Sequence, residues 1–122
     1  MIIISEQVTV DNYEILFHVA EAQRKSANEV IRIKGNLNLP FLTSIRKLPD
    51  NLHVCGYLSL CKCTSLINLP KKLYIDGSLL LYGCTSIIKL PNSLHVKGNI
   101  LVGCFRLDEF RTMNKKFAKK IK

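Results

Sequence analysis

A Leu-Pro step recurs every 21 residues, at Leu48-Pro49, Leu69-Pro70 and Leu90-Pro91, and this period constrains the fold more than any other feature of the chain. After each step runs the same apolar ladder at period two. It reads Leu52, Val54, Gly56, Leu58, Leu60, then Leu73, Ile75, Gly77, Leu79, Leu81, then Leu94, Val96, Gly98, Ile100, Val102, with an earlier copy at Ile31, Ile33, Gly35, Leu37, Leu39. Strict alternation describes extended chain with one side buried, and the central glycine marks a bend between two short strands. One such unit cannot bury its apolar side alone; stacked copies share a continuous core and pair their strands in parallel. Proline fixes φ and donates no hydrogen bond, so each Leu-Pro fits a turn outside the ladder. The pattern predicts an α/β solenoid of three to four coils with parallel strands, and a parallel β-helix is the alternative.

The segments Leu58 to Pro70 and Leu79 to Pro91 carry Cys63-Thr64-Ser65-Leu66 and Cys84-Thr85-Ser86-Ile87 after their ladders, and Leu42-Thr43-Ser44-Ile45 holds that place in the first copy. These segments resemble the short, cysteine-containing form of leucine-rich repeats, of bacterial or viral type, over residues 28–110. The resemblance implies that the leucine strands line one face and that Cys63, Cys84 and Cys104 sit buried where the chain turns away. The usual leucine three residues before the strand pair is replaced by Cys55, Asp76 and Lys97, and a second strand beginning near His53 takes that side instead. The last copy, Cys104-Phe105-Arg106-Leu107, arrives one residue early, as terminal repeats commonly do.

A solenoid must cover the apolar ends of its stack. Residues 1–27 are expected to form a capping strand and helix, the helix spanning 11–25 with Asp11 as N-cap, Glu14 completing a capping box, and Ile15, Leu16, Val19 and Ala20 as its buried stripe. At the other end Phe110, Met113, Phe117 and Ile121 stand at helical spacing, which predicts an amphipathic helix from about Asp108, with 111–122 as a basic C-terminal capping helix.

With 122 residues the chain has the size of one domain. Its formal charge of +9 raises a nucleic-acid reading. Yet Arg111, Lys115, Lys116, Lys119, Lys120 and Lys122 crowd into the C-terminal segment with no acid after Glu109, where they read first as the solvated face of a cap. The apolar start Met1-Ile2-Ile3-Ile4 ends at Ser5-Glu6-Gln7, short of a signal core or membrane span. Five cysteines without such a signal favour free thiols in a reducing compartment, so a cytoplasmic protein with no membrane association is expected.

Residues between the inward ladder positions point outward and form columns across the coils. One column is Arg32, His53, Tyr74, His95, and the next is Lys34, Cys55, Asp76, Lys97; beyond the bend come Asn36, Tyr57, Ser78, Asn99 and then Asn38, Ser59, Leu80, Leu101. Arg32, Lys34, His53, Tyr57, Tyr74, His95 and Lys97 make the expected partner-binding set, because basic and aromatic side chains are enriched in contact patches. The expected function is a non-enzymatic protein-binding module, a small regulator or inhibitor of bacterial or phage type. The rival is a nucleic-acid binder using Arg111, Lys115, Lys116, Lys119 and Lys120 together with the basic columns. Self-association through Leu80 and Leu101 is a further expectation.

No cofactor, metal or catalytic residue is expected. His53 and His95 start about 10 Å apart with Tyr74 between them, too far for one zinc ion. A nucleophilic Cys55 lacks an orienting acid at a telling position, the spacing of Cys61 and Cys63 makes no zinc signature, and His18 falls on the N-terminal helix.

Overall fold

Four ladders produce four strand pairs. The computed structural model describes residues 1–122, apart from the side chain of Phe105. The pairs are β2 (Ile31–Ile33) with β3 (Leu37–Asn38), β4 (Leu52–Val54) with β5 (Leu58–Ser59), β6 (Tyr74–Ile75) with β7 (Leu79–Leu80), and β8 (His95–Val96) with β9 (Ile100–Leu101). They are preceded by β1 (Ile2–Ile4) and α1 (Tyr13–Gln23) and followed by α2 (Leu107–Met113). The result is a β-solenoid of about three turns with two helices. Its strands form two parallel sheets, in the orders β1-β2-β4-β6-β8 and β3-β5-β7-β9. Register follows the ladders: Ile31 pairs with Leu52, Val54 with Ile75, Ile75 with Val96, and Leu58 with Leu79.

The inward positions Leu52, Val54, Leu58, Leu60, Leu73, Ile75, Leu79 and Leu81 are fully buried. Removing such apolar area from water is the main driving force, about 1.5–3 kcal/mol for each large side chain. Leu48, Leu69 and Leu90 close the third side of each coil together with Ile45, Leu66 and Ile87. The backbone ladder continues through the bend, where the amides of Gly56, Gly77 and Gly98 donate to the carbonyls of Gly35, Gly56 and Gly77 at 3.0, 2.9 and 3.0 Å.

Cys63 and Cys84 are buried, and each thiol donates to a carbonyl of the coil before: Cys63 Sγ to Leu39 at 3.1 Å and Cys84 Sγ to Leu60 at 2.7 Å. Burial pushes both thiols above their ordinary range, Cys84 to about 11, so each keeps its proton at neutral pH and serves as a donor. Cys104 departs from the expected buried set: it is exposed, because the last copy is one residue short and a 3-10 turn over Cys104–Arg106 replaces the regular coil. Alkylation of the native chain is therefore expected to label Cys104 readily, Cys55 and Cys61 more slowly, and Cys63 and Cys84 only after unfolding. Mass spectrometry of peptides from a timed iodoacetamide reaction reads this pattern directly.

At the N-terminal end β1 pairs with β2, and α1 packs Tyr13, Phe17 and Ala20 into the core beside Ile4 and Val8. The expected boundary and stripe both shift. The N-cap is Asn12 rather than Asp11, and no side chain caps the helix; the Asn12 side chain instead accepts from the Thr9 amide at 2.7 Å, closing a turn just before the helix. Ile15 and Val19 are exposed and Leu16 only partly buried, because the aromatic pair Tyr13 and Phe17, with rings 6.3 Å apart, takes the inner face. His18 is exposed.

The C-terminal end is not the single helix that the spacing predicts. α2 stops at Met113, which is exposed; Asn114 leaves helical geometry, Lys115–Phe117 make a 3-10 turn, and Ile121 forms a parallel bridge with Ile100. Phe110, Phe117 and Ile121 are buried as expected. The helix breaks because the segment must complete the open hydrogen bonds of the last coil. Asn114 bonds to Leu90 and Ile88, Arg106 donates to the Ile87 carbonyl at 2.8 Å, and the backbone of residues 120–122 pairs with Ile100 and Val102. A longer helix would carry these groups away from their partners. No helix among the described residues is long and apolar enough to cross a membrane.

Candidate functional site

The outward side of the five-stranded sheet aligns Arg32, His53, Tyr74 and His95 as direct cross-strand neighbours. Parallel register sets these side chains about 4.8 Å apart, which suits ring contact. His53 and Tyr74 meet edge to face with centroids 4.7 Å apart, and Tyr74 stacks on His95 at 4.2 Å. The two histidines are thus separated by the tyrosine ring, as the columns imply.

The second column engages the first along a diagonal. Arg32 Nε donates to Cys55 Sγ at 3.0 Å, His53 Nε2 lies 3.1 Å from Asp76 Oδ1, and the Lys97 ammonium sits 5.8 Å from the Tyr74 ring centroid. Each pair spans 23 residues, one coil plus two positions, so one geometric step repeats three times up the stack. Strand side chains lean along the strand, which brings diagonal neighbours within reach. Lys97 also lies 3.8 Å from Asp76 Oδ1. The bond from His53, followed by the charges of His53, Lys97 and Arg32, holds the Asp76 carboxyl below its ordinary range. The Cys55 contact raises Arg32 further.

Beyond these columns a shallow groove opens to solvent, lined by Asn36, Cys55, Tyr57, Asp76, Ser78 and Leu80. The Asn36 side chain accepts from the Tyr57 amide at 2.9 Å, and Ser78 Oγ accepts from the Asn99 amide at 3.1 Å, fixing the groove's polar floor. Ser59 belongs to an outward column yet is buried beside Cys61, with Oγ and Sγ 3.3 Å apart.

Of the expected partner-binding set, Arg32, His53, Tyr74 and His95 form one cross-strand row, Lys97 reaches Tyr74 and Asp76, Lys34 is exposed just after β2, and Tyr57 lies beyond the bend at the groove. Sequence reasoning placed Asp76 in an outward column but did not pair it with His53. The available signal was the diagonal itself, since a 21-residue coil places position 76 beside position 53 once a two-residue lean is added. His53, Cys55 and Asp76 offer a nitrogen, a sulfur and an oxygen within 4.8 Å of one another. The hydrogen-bond partner of the Cys55 sulfur is Arg32, and that of the His53 ring is Asp76. An activated nucleophile needs the base bonded to the thiol, a different arrangement.

Three of the six basic residues of the tail bond to backbone carbonyls. The ammonium groups of Lys116 and Lys120 donate to the carbonyls of Asn92 and Lys97 in the last coil, and Arg111 Nε donates to the Ile121 carbonyl at 3.0 Å. β8 is the last strand of its sheet, and lysines commonly blunt such an edge. Lys115, Lys116, Lys119 and Lys122 are exposed. Compared with protein families, curated proteins and solved structures, the chain has no significant match.

Proposed function

We propose that this chain is a non-enzymatic protein-binding module, a small regulator or inhibitor of bacterial or phage type, that docks an acidic protein partner on the outward face of β2, β4, β6 and β8. The observation that carries this reading is the ordered strip Arg32–His53–Tyr74–His95 flanked by Lys34 and Lys97. Stacked rings and diagonal contacts fix its side chains before a partner arrives. Preformed contact side chains reduce the ordering cost of binding, and aromatic and arginine groups dominate binding energy. The resemblance to short leucine-rich repeats belongs with this reading. Five free thiols support a reducing compartment such as the cytoplasm.

The test is capture from extracts of the native host, with the wild-type chain against a variant carrying Arg32→Glu, Lys34→Glu and Lys97→Glu. A partner enriched by the wild type is expected to bind the variant at least tenfold more weakly, while circular dichroism of the two chains stays the same. Equal capture by both chains contradicts the reading. The nucleic-acid alternative would draw on the charges of the basic tail, of which Arg111, Lys116 and Lys120 also bond to backbone carbonyls. Removing residues 111–122 would strip Ile121 from the core, so that alternative is better tested with Lys115→Gln and Lys119→Gln. It requires nucleic-acid affinity that falls steeply with salt and drops in the double variant.

A further inference from the structure

The geometry points to a divalent transition-metal site, of zinc type, formed by His53, Cys55 and Asp76 at the edge of the outward groove, which Cys55 and Asp76 line. Their donor atoms lie within 4.8 Å of one another, and the imidazole and carboxylate are already 3.1 Å apart. A zinc ion with bonds of about 2.0–2.3 Å holds tetrahedral ligand atoms roughly 3.3–3.8 Å apart. The cluster therefore closes on an ion by side-chain rotation, with the His53–Asp76 hydrogen bond opening to admit it. The mixture of imidazole nitrogen, thiolate sulfur and carboxylate oxygen selects a borderline ion such as zinc; magnesium and calcium take oxygen ligands almost alone. All three ligands sit in or beside strands: His53 lies within β4, Cys55 directly follows it, and Asp76 directly follows β6 in the next coil. All three are partly exposed, so an ion has a way in, and the groove leaves a fourth position open to water.

On binding, the Cys55 thiol releases its proton to solvent, and the thiolate and carboxylate balance the charge of the ion. Arg32 and Lys97 then remain as two nearby cations. They oppose the ion, so removing the guanidinium from the sulfur tightens the site. The inference asks nothing of the protein partner and stands or falls separately from it.

The experiment is a titration of the reduced, full-length chain with cobalt(II), followed by competition with zinc(II). The expected result is a sulfur-to-cobalt charge-transfer band saturating at one ion per chain and bleached by zinc. Cys55→Ser is expected to abolish the band, and His53→Gln and Asp76→Asn to weaken binding at least tenfold each. Arg32→Gln is expected to tighten it severalfold, and the double variant Cys61→Ser/Cys104→Ser to leave it unchanged. Circular dichroism checks that each variant is folded; none of the substituted side chains is fully buried. No charge-transfer band at millimolar cobalt, or a band that survives Cys55→Ser, overturns the proposal.

Discussion

Asn114→Ala is expected to lower the free energy of unfolding by about 3 kcal/mol, although it removes one small polar side chain near the end of the chain. Asn114 is only 5% exposed and replaces a missing coil. Its Oδ1 accepts from the Leu90 amide at 2.7 Å, and its Nδ2 donates to the carbonyls of Ile88 and Phe110, both at 2.9 Å. A single side-chain amide thus serves two backbone groups of the preceding coil and one of α2. Truncation leaves three backbone groups without a partner, and each buried orphan costs about 1–3 kcal/mol. Urea unfolding followed by circular dichroism measures the loss. Lys119→Ala, an exposed change in the same segment, is expected to stay within about 0.5 kcal/mol.

Gly98→Ala is expected to destabilise the chain by about 2 kcal/mol through overpacking. The bends of successive coils stack so closely that a Cβ at position 98 would lie 2.9 Å from both the carbon and the oxygen of the Gly77 carbonyl. It would also lie 2.5 Å from Ser78 Oγ, which cannot swing aside without giving up its bond to the Asn99 amide. Adding Ser78→Ala is expected to recover only part of the loss, because the Gly77 backbone remains in the way. Comparing the single and double variants by thermal unfolding separates the hydroxyl clash from the backbone clash.

The same stacking explains how much of this protein could be read from its sequence. The 21-residue period set the strand pairs, their register and the inward ladder, because a buried side with period two admits no slip of one residue. The outward columns followed from that register, and Arg32, His53, Tyr74 and His95 do form one cross-strand row. The ends were harder. α1 buries Tyr13 and Phe17 rather than Ile15 and Val19 because larger rings compete for the same space, a choice that apolar spacing alone does not resolve. The C-terminal segment has helical spacing but breaks at Asn114, since the unpaired groups of the last coil outweigh the propensity of a short helix. Cys104 looked like a third buried thiol, but the shortened copy leaves it exposed. At the site, the pairing of Asp76 with His53 escaped notice because columns were compared along the stack and not diagonally across it.

The central claim is that one 21-residue coil is the structural unit and that its register builds the outward face. Duplicating residues 62–82 tests it directly, since the repeated segment rejoins at Gly83 in register. The lengthened chain is expected to unfold in one cooperative transition, at least as stable as the parent, and to be longer by one strand spacing of about 4.8 Å in small-angle scattering. Duplicating only residues 62–72 breaks the register and is expected to lower stability sharply. Equal tolerance of the two insertions, or loss of cooperative folding with the whole coil, would contradict the account.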